Sequence, residues 1–385
     1  MNKILVLMIV IYIYYVSSGI SQFLGRNSTK FNNLDLLVFS VIFILLILNK
    51  AKLGINKQIK YFIFSVFLYL IIYFLLGCIK SNPENIIFFL KRLLVDLSIF
   101  ILSIYLIYVT GVKGFLKILS LLGCLITIFG IYDWFVNKNL FGDYFYRSTG
   151  LYGNANLQGE ILAFILICML YSLLNKILGK KYWVLFTIIT IALLLTQSRG
   201  SMLTLLIISF IMILTKNNIN IFKKLLIMSF FITIVSTALF FILDKNSVYS
   251  QRILEGNNGD ISNDRISALI TGIKEIYNNP LFGKGIGNTA NNVLNLSAHN
   301  FYVNSIEEVG VLFIPFLALF IIFLIYNFVK LFLKKDTSIV GYISLFLMIN
   351  GFFTHNLLLN YYFYLALPLF LYNQYSLSKQ GVINS

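Results

Sequence analysis

Ionisable side chains are scarce in this chain, so the few that fall together stand out. The stretch SAHNFYVNSIEEVG, residues 297–310, holds His299, one of only two histidines among 385 residues. Imidazole has an ordinary pKa near 6.5, so at neutral pH it accepts a proton, as a general base must. Glu307 and Glu308 follow within the same stretch, and either carboxylate could orient or charge-balance such a ring. His355, in FFTHNLL, is the competing histidine. Three arginines are candidates for an anionic ligand: Arg147 in RSTGLYGNANLQGEILA, Arg199 in TQSRGSMLTLL and Arg265 in NDRISALITGIKEIYNNP. A guanidinium keeps its charge and offers a planar fork of donors, so three together would suit a diphosphate. Each alone reads as an interfacial arginine reaching for water. Lys91, Arg92 and Asp96 sit inside an apolar run. Arg92 and Asp96 are four residues apart, which pairs them on a helix, and charges inside a membrane usually face a cavity.

The elements that must position these groups are membrane helices. Charged residues make up 11% of the chain and apolar ones 59%, with a mean hydropathy of +0.87. Soluble domains carry roughly 25% charge. Apolar runs long enough to cross about 30 Å of hydrocarbon occur near 4–22, 34–48, 59–79, 86–108, 114–136, 155–174, 182–197, 200–215, 225–243, 306–329, 339–355 and 359–375. The expected fold is an all-α integral membrane protein of about twelve transmembrane helices, a single polytopic domain over residues 1–385. The first run has no clear small-residue cleavage site after it and reads as a retained span.

A net charge of +16 would point to nucleic acid in a soluble protein. Here the lysines collect in alternate loops instead. With the N-terminus in the cytoplasm, the inner segments hold seventeen lysines and the short outer loops six basic residues, so both termini are expected inside. No basic face interleaved with stacking aromatics exists outside the apolar runs, and nucleic acid is not an expected partner. Cys78, Cys124 and Cys168 all lie in or at apolar runs without CxxC spacing, which argues against disulfides and zinc. Residues 244–305 then form one long extracytoplasmic loop, and loops of that length are usually functional or disordered. Within it Ile266, Leu269, Ile270, Ile273 and Ile276 recur at helical spacing, Asn263 or Asp264 offers a cap and Pro280 a stop. An amphipathic helix on or dipping into the outer interface is expected. The run GKGIGNT, 283–289, has no preceding strand and is no dinucleotide fingerprint; it reads as a flexible loop letting backbone approach a ligand.

Taken in order, RSTGLYGNANLQGEILA, TQSRGSMLTLL and GKGIG followed by SAHNFYVNSIEEVG resemble the O-antigen ligase and Wzy-type polysaccharide polymerase superfamily, from Arg147 to about Pro315. The resemblance implies a multispan glycosyltransferase of the bacterial cytoplasmic membrane, taking glycan from undecaprenyl diphosphate on the outer face with no metal ion and no cofactor. It implies that His299 activates the acceptor hydroxyl and that Arg199 and Arg265 bind the diphosphate, while Arg147 matches an arginine of the motif before the sixth span. Glu308, two residues before Gly310, matches a glutamate of the segment after the histidine. The implied partners are an undecaprenyl-diphosphate-linked oligosaccharide, the growing glycan chain and a chain-length regulator. Lys91, Arg92 and His355 remain second-rank candidates.

The energetics agree independently of the resemblance. Glycan assembly outside the cytosol lacks nucleotide sugars, so it needs a preactivated, membrane-tethered donor. Arginines can neutralise the charge that develops on a diphosphate leaving group. The reading is a polymerase joining lipid-linked repeat units. Its rivals are a ligase passing finished glycan to a different acceptor, and a flippase or other transporter. Transporters usually hold functional charge near the bilayer midplane, whereas the best polar cluster here is on the outer side.

Overall fold

The computed structural model describes residues 3–17, 57–141, 147–216, 261–288, 300–333, 338–354 and 357–371. Over these residues it is helical: α1 (Lys3–Ser17), α2 (Lys57–Cys78), α3 (Pro83–Phe141), α4 (Ala155–Leu174), α5 (Tyr182–Thr196), α6 (Arg199–Thr215), α7 (Ile261–Asn278), α8 (Phe301–Val309), α9 (Ile314–Leu333), α10 (Ile339–Asn350) and α11 (Tyr361–Ala366), with short 3-10 turns between some of them. Four stretches are long and apolar enough to cross a membrane: Lys60–Cys78, Pro83–Asn137, Ala155–Leu174 and Val311–Leu333. Shorter apolar helices make up the rest. Two of the expected spans, 34–48 and 225–243, lie outside the described residues, so the described helices do not amount to twelve crossings.

Two expected spans, 86–108 and 114–136, occur together in α3. Its 59 residues would run about 88 Å if straight, far beyond one bilayer. Gly111, at φ 70° and ψ 169°, breaks it where the two spans were expected to meet. Only glycine enters that backbone region at little cost. The expected span 306–329 is displaced. Glu307 and Glu308 belong to α8, a separate nine-residue helix, and the span starts only after Gly310. Gly310 adopts φ 87°, and a Cβ there would land on the Leu281 carbonyl.

α4 is the buried centre, packed on α3, α5, α6 and α10. Nearly every residue from Gln158 to Leu173 is buried, so it reads as continuously apolar rather than striped. α2 and α9 keep most of their surface exposed, as lipid-facing helices do.

Candidate functional site

The motif 147–160 is fastened piece by piece. Asn154 caps α4, its side chain accepting from the Asn156 and Leu157 N–H groups at 2.9 and 3.3 Å. Asp133, near the end of α3, accepts from the Thr149 and Gly150 N–H groups at 2.8 and 3.0 Å. The Ser148 N–H donates to the Leu195 carbonyl at 3.0 Å. Arg147 is half-buried; its Nε donates to the Thr196 carbonyl at 3.1 Å and its Nη2 to Asn156 Oδ1 at 2.7 Å. Arg147 therefore grips the turn that presents Arg199.

Only Gln197 and Ser198 separate α5 from α6, and Gln197 takes the left-handed conformation at φ 51°. That strain is tolerated where neighbours over-determine the turn. Gly159 of α4 lies against it so closely that a Cβ would come within 2.5 Å of Ser198 Cβ. Arg199 opens α6 and is exposed. A cation at a helix N-terminus opposes the helix dipole, so this placement gains nothing for the helix itself.

α8 begins directly after the His299–Asn300 pair. Asn300 caps it, accepting from the Tyr302 and Val303 N–H groups at 3.0 and 3.2 Å. The Phe301 N–H donates to the Gly351 carbonyl at 2.8 Å, and the Tyr302 hydroxyl donates to the Met348 carbonyl at 2.8 Å. Two residues beyond Gly351, Phe353 packs on Gly200, next to Arg199. The broken stretch after α10 thus touches both the start of α6 and the start of α8. His299 and His355 themselves lie outside the described residues.

The other end of α8, about 13 Å away at 1.5 Å per residue, is clamped to the loop after α7. The Lys284 and Gly285 N–H groups donate to the Glu307 and Glu308 carbonyls at 2.8 and 2.9 Å, and Ile286 N–H to Gly77 O at 3.1 Å. Gly283 and Gly285, at φ 60° and 94°, bring this backbone against α8 and the Lys80–Ser81 turn. The glycine run expected to admit a ligand is packed on protein instead, because its positive-φ residues serve close backbone contact. Glu308 is buried, accepts from the Tyr73 hydroxyl, and accepts from the Gly287 N–H at 3.3 Å. Its carboxyl is pushed up by burial, with those hydrogen bonds opposing. Burial likewise pushes Glu307 up to about 7, against the pull of Lys284, with Glu308 and Glu275 adding to the rise. Lys284 pairs with Glu275 of α7 at 3.0 Å.

α7 is the helix expected in the long loop, and it carries Arg265. It starts at Ile261, so Asn263 and Asp264 lie in its first turn rather than at its cap. Polar and acidic groups there still complement the dipole. Part of its expected apolar stripe faces outward: Ile270 and Ile273 are 48% and 54% exposed, Leu269 and Ile276 are half-buried, and Ala268 and Gly272 are buried.

Arg92 and Asp96 pair at 3.2 Å within α3, with the guanidinium 4.0 Å over the Tyr361 ring. Asp96 is buried, and the Tyr361 ring covers one face of the Arg92 guanidinium. Lys91 is half-buried beside it. Sequence reasoning passed over Glu160, one residue after Gly159 and buried in α4. An acid inside an apolar run was the available signal. Among the described residues, no group of three His, Cys, Asp or Glu side chains is placed to hold a metal ion.

These features define a helical membrane protein with exposed and hydrogen-bonded arginines gathered round short inter-helix turns. Residues 183–312, from α5 through α8, match the family model described as O-antigen ligase. The resemblance to the O-antigen ligase and Wzy superfamily therefore holds over the stretch carrying Arg199, Arg265, His299 and Glu308, and it supports a ligase- or polymerase-type function. No curated protein matches the chain.

Proposed function

We propose that this protein is a membrane glycosyltransferase that polymerises undecaprenyl-diphosphate-linked repeat units into capsular, exopolysaccharide or O-antigen polymer. The supporting observation is the junction at which the Arg147 motif, the Arg199 turn and the start of α8 meet. The reading puts the junction on the outer face of the bacterial cytoplasmic membrane, with both termini inside and α7 lying at the outer interface. Arg199 and Arg265 take up the charge that develops on the diphosphate as its bond to the anomeric carbon breaks. The acceptor hydroxyl oxygen forms the new bond, and its proton passes to His299. Arg147 holds the turn that carries Arg199, and Glu308 holds the far end of the helix that follows His299. No metal ion is invoked in this scheme.

The test is purified protein in liposomes with a lipid-linked repeat unit. A ladder of products supports polymerisation. Transfer of a single glycan only when a different acceptor is supplied would replace this reading with a ligase. Transbilayer movement of the donor without any new glycosidic bond would replace it with a transporter.

A further inference from the structure

Glu160 is 4% exposed, in the second turn of a helix buried on all sides. A carboxyl taken out of water needs hydrogen-bond donors, and among the described residues the donor comes from the connection between α10 and α11. Glu160 Oε2 accepts from Asn360 Nδ2 at 3.1 Å, and that amide lies 2.8 Å from Thr354 Oγ1 and 3.2 Å from the Tyr362 hydroxyl. Asn350 Nδ2 donates to the same hydroxyl at 2.6 Å. Asn360 thus reaches the carboxyl directly, and Thr354, Tyr362 and, through Tyr362, Asn350 are linked to it by way of Asn360, from both ends of the connection between α10 and α11. That connection is the segment whose Gly351 carbonyl receives Phe301 N–H and whose Phe353 packs on Gly200.

We propose that Glu160 is a positioning residue of the transfer site: through Asn360 and Thr354 it ties down residues 351–354, which in turn set the start of α6 at Arg199 against the start of α8 at Asn300. The inference rests on the glycosyltransferase reading above. An apolar replacement leaves the Asn360 amide without its carboxyl acceptor, and residues 351–354, linked to it through Thr354, lose their single conformation. Glutamine keeps an acceptor oxygen of the same reach without the charge.

Two readouts test this, both at matched membrane abundance. On the lipid-linked donor, Glu160→Leu should lower kcat by about 10–100-fold, the range a misplacement of order 1 Å produces, with KM within about 3-fold. Glu160→Gln should recover most of the rate. Independently of activity, spin labels at Phe352 and Leu203, both exposed, report the spacing between the connection and α6. The labelled background would have Cys78, Cys124 and Cys168 replaced by serine. The distance distribution should broaden in Glu160→Leu and stay narrow in Glu160→Gln. An unchanged distribution in Glu160→Leu overturns the proposal, and so does broadening with wild-type turnover. Equal loss of rate in Gln and Leu would assign the effect to the charge and overturn it too. A wild-type protein without transfer activity would instead overturn the function, with the inference falling alongside it.

Discussion

At the scale of single residues, Arg147 and Arg199 have different surroundings and should fail differently. Arg199 is exposed at the start of α6, so its removal costs the fold little. Arg147 is half-buried and holds the Thr196 carbonyl and Asn156 together. Hydrogen bonds from a charged group are worth about 1.5–3 kcal/mol each to a fold. Arg199→Ala should therefore abolish or strongly reduce polymer with the melting temperature unchanged, whereas Arg147→Ala should lower both. Arg199→Lys should restore activity only in part, because a point charge cannot form the bidentate fork. Thermal melts in detergent beside gel ladders of the glycan separate the cases. Normal polymer length in Arg199→Ala would reduce that residue to an interfacial anchor. The arginines were legible in the sequence because charge is rare there. Which of them grips and which stays open was not, since this depends on a carbonyl 49 residues away from Arg147.

At the scale of elements, the contact between α7 and α8 depends on glycines and on a carboxylate. Gly310 and Gly283 combine positive φ with backbone pressed against the missing Cβ; at Gly283 the Glu307 carbonyl oxygen would sit 2.5 Å away. Gly310→Ala or Gly283→Ala should destabilise the protein by at least about 1–2 kcal/mol and expose α7 to protease. Gly179→Ala, with open space around it and no positive φ, should do neither. The pH dependence of the same contact follows from Glu307. Its carboxyl is raised by burial from 4.5 to about 7, so between these values the folded state holds a proton the unfolded state has lost. Stability of the clamp should then fall as pH rises from about 5 to 7 and change little above that. Hydrogen exchange of the 283–286 amides should show this slope in the wild type, and Glu307→Gln should flatten it. Helical periodicity revealed α7, and the Gly-rich run gave away a close approach. What the glycines approach was hidden, because Gly283 and Gly310 meet backbone from distant parts of the chain and a local pattern carries no trace of such a partner.

At the scale of the whole molecule, apolar runs were legible where hydrocarbon selects the residues, as in α2 and the span Val311–Leu333, and where a helix is buried among others on every side, as in α4. They misled where a helix ends inside a run, as at Gly310, since the composition does not change there. Orientation rests on a separate signal, the placement of lysine. If the twelve expected spans alternate, seventeen lysines fall on one set of segments, and we propose that this set is cytoplasmic, because a lysine and arginine excess in short loops sets orientation that way. The site arguments depend on this orientation, because lipid-linked donors are met on the outer face while nucleotide sugars are confined to the inner. Single cysteines in a cysteine-free background, placed at Tyr277 and at Lys334, test it. Tyr277 is 87% exposed on α7 and belongs to the loop assigned outside. Lys334 follows α9 in a lysine pair assigned inside. A membrane-impermeant maleimide on intact cells with a permeable wall should label position 277 strongly. It should reach position 334 only after the membrane is opened. The reverse pattern would put Arg199, Arg265 and the start of α8 on the cytoplasmic side, where an undecaprenyl-diphosphate polymer could not be extended into the wall, and it would remove the polymerase reading.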